Sequence, residues 1–174
     1  MVTESGAGRA AASEFVITRI FDAPRELVYD AWTKPEHLKR WWGPNGYTAP
    51  VYKVDPRPGG AIHFCMRSSE GQEMWGAGTY LEVEKPERIV CTDSFSDKDG
   101  NIHEPTEFGL PAEWPREAKI ALDFSEQKGR TVLTMHLGVP EPLAESVGAR
   151  QGWNESLDRL ADYLEKMKGG RDAN

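Results

Sequence analysis

From Glu14 to Phe21 the chain reads EFVITRIF, rich in β-branched and aromatic residues, and Asp22-Ala23-Pro24 ends the run. This pattern predicts a strand. Pro24 suits the first turn of a helix with Asp22 near its N-cap, and Leu27, Val28 and Ala31 give that helix an apolar stripe. Thr33-Lys34-Pro35 breaks it. A second short helix, PEHLKRWW, starts on Pro35 and stops at Gly43-Pro44, because proline cannot continue a helix and glycine accepts the left-handed cap.

From Tyr47 onward the apolar period changes to two. YTAPVYKV reads as a strand and Pro58-Gly59-Gly60 as a turn. AIHFCMRS is a strand with Ile62, Phe64 and Met66 on one face. Ser69-Glu70-Gly71 turns into EMWGAGTYLEVE, where Leu81 and Val83 alternate with Glu82 and Glu84, and Lys85-Pro86-Glu87 leads into RIVCTDSF. AKIALDFSE and TVLTMHLG form a hairpin across Gln127 to Arg130, with Ile120, Leu122 and Phe124 facing the same way as Leu133, Met135 and Leu137. From about Leu143 to Met167, apolar positions recur at spacings of mostly three and four, as in a long amphipathic helix. Glu155 with Arg159 is a favourable i,i+4 pair on its wet side. Gly148 and Gly152 each weaken a helix by about 1 kcal/mol relative to alanine, so either the helix starts later than Leu143 or the glycines permit a kink.

These elements predict an α+β domain over 14–168, flanked by tails at 1–13 and 169–174. A curved antiparallel sheet of six to seven strands wraps around the long C-terminal helix, and two short helices follow the first strand. Where sheet and helix diverge, the mouth suits an apolar ligand cavity. Residues 96–117 interrupt the meander with three prolines, two glycines and the isolated apolar side chains Phe108, Leu110 and Trp114. A loop of that length inside a domain is read as a flap touching the body.

At 174 residues, 39% hydrophobic and 28% charged, the chain has the composition of a globular domain. Its formal charge of -7 and lack of a Lys/Arg face exclude nucleic acid as the expected partner. No stretch approaches the roughly 18 apolar residues of a membrane span, so no membrane insertion is expected. With two separated cysteines, Cys65 and Cys91, a cytoplasmic location and no disulfide framework are expected.

Several segments together, TRIFDAPRELVYDAWTKPEHLKRWWGP, DPRPGG, GTYLEVEKPERIV, TVLTMHLG and GWNESLDRLADYLEKM, resemble the activator-of-Hsp90-ATPase homologue branch of the START-like, or SRPBCC, superfamily. The resemblance runs in order from about Glu14 to Met167. It implies the helix-grip fold with a hydrophobic cavity between sheet and C-terminal helix. It also brings a chaperone ATPase into view as a partner and a role in stress response. The eukaryotic co-chaperone that names the branch has an additional N-terminal domain, which a dozen residues cannot supply.

The chemistry-bearing residues are few. The histidines, His37, His63, His103 and His136, show no metal-ligand spacing, so no metal and no cofactor are expected. His63 and His136 fall on strand faces opposite the apolar ones and are read as solvent-facing. No nucleophile elbow, phosphate loop or dinucleotide fingerprint is present. Ile89, Cys91, Asp93 and Phe95 share one face. If that face is concave, Asp93 is a carboxyl in an apolar cavity, able to serve as acid, base or anchor; if Val90 points inward instead, Asp93 is wet. Arg19 and Arg67 are either counter-charges of the cavity or exposed.

The expected ligand site is Trp41, Trp42, Phe64, Met66, Trp75, Asp93, Phe95, Phe108, Phe124, Met135, Trp153 and Leu157. Adjacent helical residues lie about 100° apart, so Trp41 and Trp42 cannot both face inward. Trp41 is assigned to the core and Trp42 to the rim. The leading functional reading is binding of a small hydrophobic molecule (lipid, fatty acid or polyketide-like) by a monomer or weak homodimer, with the flap gating entry. The alternatives are a regulator of a chaperone ATPase and a cyclase- or dehydratase-like enzyme using Asp93.

Overall fold

The computed structural model describes residues 14–172; the expected tail at 1–13 lies outside them. In chain order the elements are β1 (Glu14–Phe21), α1 (Arg25–Thr33), α2 (Pro35–Trp41), β2 (Tyr47–Val54), β3 (Ala61–Ser68), β4 (Glu73–Glu84), β5 (Arg88–Ser96), a 3-10 turn (Pro105–Phe108), β6 (Ala118–Gln127), β7 (Arg130–Pro140), α3 (Glu141–Ser146) and α4 (Ala149–Asp172). The strands form one antiparallel sheet in the order β1-β7-β6-β5-β4-β3-β2. Strands β2 to β7 are a meander, and β1 pairs with β7, so α1 and α2 carry the chain from one sheet edge to the other.

Alternation sets the two faces. Ile120 opposes Leu137, Leu122 opposes Met135 and Phe124 opposes Leu133, and all six side chains are buried. The β6-β7 hairpin turns through Lys128 and Gly129, both at positive φ (54° and 78°), the twist that a two-residue connection needs. Leu157, Leu160 and Leu164 of α4 complete the core, each 3% exposed or less. Full burial of a leucine contributes about 1.5–3 kcal/mol, so this stripe anchors the helix on the sheet.

Three details differ from the pattern-based expectation, and the choice left open at the glycines of the long helix is resolved. A β-bulge between Tyr80 and Glu82 resets the alternation, so Tyr80 is buried and Leu81 is exposed. Asp22 does not cap α1: the N-cap is Pro24, without a side-chain hydrogen bond, and the Asp22 carboxylate pairs with Lys168 Nζ at 2.8 Å. The long helix is broken at Gly148 (φ 74°), which separates α3 from α4, while Gly152 lies inside α4. Helix α4 also runs on through residues 169–172, assigned to the tail because the apolar stripe ends at Met167.

Candidate functional site

The helix touches the sheet along its Leu157-Leu160-Leu164 side and parts from it toward its N-terminal turns, leaving a cavity. The floor is Phe64 and Met66 of β3, Met74 and Gly76 of β4, Asp93 and Phe95 of β5, Ala118 of β6 and Leu137 of β7. Ala149, Gly152, Trp153 and Ser156 of α4 form the roof, and Trp42, Gly43 and Pro44 form one end. Trp114, Pro115 and Arg116 of the 97–117 loop close the other. Two lobes of about 180 and 220 Å³ share Phe64, Met66, Asp93, Ala149 and Trp153.

The aromatic wall is a connected set. Trp42 makes edge-to-face contacts with Tyr52 (5.4 Å between centroids), Phe64 (5.4 Å) and Trp153 (5.6 Å). Phe64 stacks on Tyr52 at 5.0 Å. Trp41 is fully buried, and its indole N–H donates to the Ala31 carbonyl at 2.9 Å. Trp42 is half-buried and faces the cavity. Helical geometry alone does not choose between the two; the structure puts Trp41 in the core and Trp42 at the cavity.

Arg159 holds this end of the site. Its Nη1 donates to the carbonyls of Gly43 (2.6 Å) and Pro44 (3.1 Å), so it does not form the expected pair with Glu155. The Glu155 carboxylate instead accepts from the backbone N–H of Asn45 at 3.0 Å. Three-dimensional proximity of the α2-β2 turn to α4 overrides the i,i+4 pairing. Burial lowers the Arg159 pKa.

Asp93 lies on the concave face. Ala118 opposes it on β6, and both lobes of the cavity reach it. Of the two registers open in the sequence, the structure has the one with Ile89, Cys91, Asp93 and Phe95 inward. Burial pushes the Asp93 pKa up to about 6, because an apolar surround disfavours the charged form. The neighbouring groups stay neutral: burial raises Cys91 to about 12 and holds Tyr52 and Tyr80 well above their ordinary value. A carboxyl titrating there can hold or release a proton near neutral pH, and no second carboxylate, histidine or lysine borders the cavity among the described residues.

Of the residues named from the sequence, Trp42, Phe64, Met66, Trp75, Asp93, Phe95 and Trp153 border the cavity. Trp75 does so from the margin: register sets it opposite Cys65, and its ring stacks on His63 at 5.0 Å. His63 also has Nε2 3.1 Å from the Asp97 carbonyl, so it helps seat the loop and is not simply solvated. Trp41, Phe124, Met135 and Leu157 do not line the cavity; they are core, each 2% exposed or less, with Trp41 packed on Trp32 and Phe124 on Tyr29. Phe108 does not enter either. It is 41% exposed and stacks on Phe95 at 4.6 Å, while Trp114 makes the flap's contact with the cavity. Arg19 and Arg67 are not counter-charges of the cavity, since they pair with Asp158 (2.7 Å) and Glu73 (2.8 Å).

Besides lining residues such as Met74, Leu137, Ala149 and Ser156, three supporting contributors are absent from the site expected from the sequence. Trp32 sits beside Trp41 (4.7 Å) and Trp42 (5.9 Å), Tyr52 backs Phe64, and Gly76 leaves space for the Phe64 ring. The alternating glycines of Trp75-Gly76-Ala77-Gly78 were the available signal: they bare one face of a strand.

A curved antiparallel sheet gripping a long C-terminal helix, with a cavity where they part, defines the helix-grip proteins of the START-like class. Residues 22–165 match the family model described as Activator of Hsp90 ATPase homolog 1-like protein, and the chain belongs to that family. Among solved structures it is similar to a protein from Chromobacterium violaceum (28% identity, TM-score 0.71, covering 89% of this chain and 99% of that one). A Staphylococcus epidermidis protein aligns at 26% identity and TM-score 0.73, over 89% and 91% of the two chains. The AHSA1 protein from Silicibacter pomeroyi shares the fold at 22% identity and TM-score 0.70, over 88% and 99%. No curated protein matches by sequence. Among the described residues no helix is long and apolar enough to cross a membrane.

Proposed function

We propose that this protein binds a small hydrophobic molecule between the sheet and α4, with the 97–117 loop controlling entry. The observation that carries the reading is the cavity itself: it is walled by Trp42, Phe64, Phe95, Trp114 and Trp153 and contacts only a few polar side chains. This is the composition of a site built for an apolar ligand with one or two polar anchors. Each lobe, at about 180 and 220 Å³, exceeds the roughly 150 Å³ cavity that holds a benzene-sized molecule. A ring system with a short chain, as in small polyketide-like compounds, suits that space better than a two-chain lipid. Native mass spectrometry of the purified protein tests the reading. A bound small molecule released by denaturation supports it; protein that carries none and shows no saturable shift of Trp42 or Trp153 resonances with any hydrophobic ligand contradicts it.

A second reading, regulation of a chaperone ATPase, draws on the family description. An ATPase assay with saturating protein decides it, and an unchanged rate rejects it.

A further inference from the structure

Asp93 is the chemical exception in the cavity. No described N–H or O–H donor and no cation reaches its carboxyl, and burial alone accounts for its perturbation. Asp93 is half-buried, open only to the cavity that both lobes share, and carboxylates in apolar sites are ordinarily paired or hydrogen-bonded, because an isolated charge there is unfavourable. Arg116, the cation among the described lining residues, does not supply the partner. Its Nε donates to Glu104 Oε2 at 2.6 Å and its Nη2 to the Ile102 carbonyl at 3.1 Å.

Apart from Arg116, which is held by Glu104, and two serines, the rest of the wall is apolar and largely aromatic. Trp42, Phe64, Phe95, Trp114 and Trp153 line the same space, and an aromatic ring can accept a cation over its face but offers nothing to an anion. An unpaired carboxylate selects a cation, and an aromatic lining tolerates one. We infer that the molecule bound here carries a protonated amine, seated against Asp93 and enclosed by the aromatic wall. This rests on the hydrophobic-ligand reading and narrows it, since a fatty acid would bring a second anion to Asp93.

Three probes with one apolar body, 4-phenylbutylamine, 4-phenylbutanol and 4-phenylbutyrate, test it by isothermal titration calorimetry. In the intact chain near pH 7.5 the amine binds about tenfold or more tightly than the alcohol, and the acid binds weakest. Asp93→Asn collapses the amine-to-alcohol ratio toward one. The wild-type protein gives a readout that needs no variant: moving from about pH 7.5 to about pH 5 protonates Asp93 and lowers that ratio several-fold. Tyr52, Tyr80 and Cys91, the titratable neighbours, stay neutral over this range, and Arg116 is engaged by Glu104 and the Ile102 carbonyl. Equal binding of amine and alcohol by the wild type, or a preference that survives both Asp93→Asn and acidification, overturns the amine inference and leaves the hydrophobic cavity standing. Failure of all three probes to bind overturns the cavity reading and the inference with it.

Discussion

The Phe64 ring occupies the position where Gly76, on the neighbouring strand, would carry its side chain: a Cβ on that glycine would lie 2.3 Å from Phe64 Cζ and 2.6 Å from Cε1. The glycine therefore sets the depth of the cavity floor. Gly76→Ala drives the ring off its stack on Tyr52 and away from Trp42, an overpacking expected to lower stability by about 1–3 kcal/mol. Urea denaturation measures it, and an unchanged midpoint contradicts the assignment.

Asp93→Asn gives a pH-dependent stability difference. The native carboxyl titrates at about 6 against an ordinary 3.8, so the folded state binds this proton more tightly than the unfolded chain. Wild-type stability then falls as pH rises from about 4 through 6. The variant lacks that loss. Its advantage is near zero below about pH 3 and reaches on the order of 2 kcal/mol above about pH 7. Urea denaturation across this range is the check, and an effect of the same size at every pH contradicts it.

Arg159→Ala removes the donor that serves the carbonyls of Gly43 and Pro44. Loss of charge-assisted hydrogen bonds at a half-buried site is expected to destabilise by about 1–3 kcal/mol. Because that turn follows Trp42, the indole also loses its fixed place, and tryptophan emission shifts to the red. Lysine at this position, with one compact donor group, restores stability only in part.

His103 ties the flap's base, with Nδ1 3.1 Å from Glu107 Oε1 and Nε2 3.3 Å from Asp97 Oδ2. Hydrogen bonds to Glu107 and then Asp97 raise its pKa above the ordinary 6.5. Its contribution is full below the unfolded value and disappears as pH rises through the raised folded one. The Asp99 and Asn101 amides, which donate to the Asp97 carboxylate at 2.9 Å, report this by hydrogen exchange. Their protection factors decline as His103 deprotonates, and His103→Ala flattens the profile. A flat profile in the wild type contradicts the tie.

Much of the fold was legible because its elements obey local rules. The strand at EFVITRIF, the Pro35 start of the second helix and the β6-β7 face pairing all follow from periodicity and turn chemistry. The site was legible only in outline. Phe64, Met66, Asp93, Phe95 and Trp153 could be named because alternation and helix period give a face, but alternation does not say where along that face helix and sheet separate. That is why the pattern groups Phe124, Met135 and Leu157 with the lining although they are core. Leu81 escaped because one extra residue in a bulge reverses every face beyond it. Arg159 escaped because its partners lie more than a hundred residues away in the chain. Phe108 and Trp114 occur in one irregular loop, where no period tells which apolar residue reaches inward.

Gly152 offers the most direct test of the cavity as a binding site. It borders the cavity from α4, and a Cβ built there meets no heavy atom within 4 Å. Gly152→Leu therefore places a side chain in the empty space while improving helix propensity by about 0.5–1 kcal/mol. The measurement is calorimetric titration of wild type and variant with the neutral probe 4-phenylbutanol, alongside thermal unfolding of both. The expected result is saturable binding by the wild type, weakened about tenfold or more in a variant that unfolds at the same or a higher temperature. A stable Gly152→Leu protein that binds the probe as tightly as the wild type would contradict the assignment of ligand to this cavity.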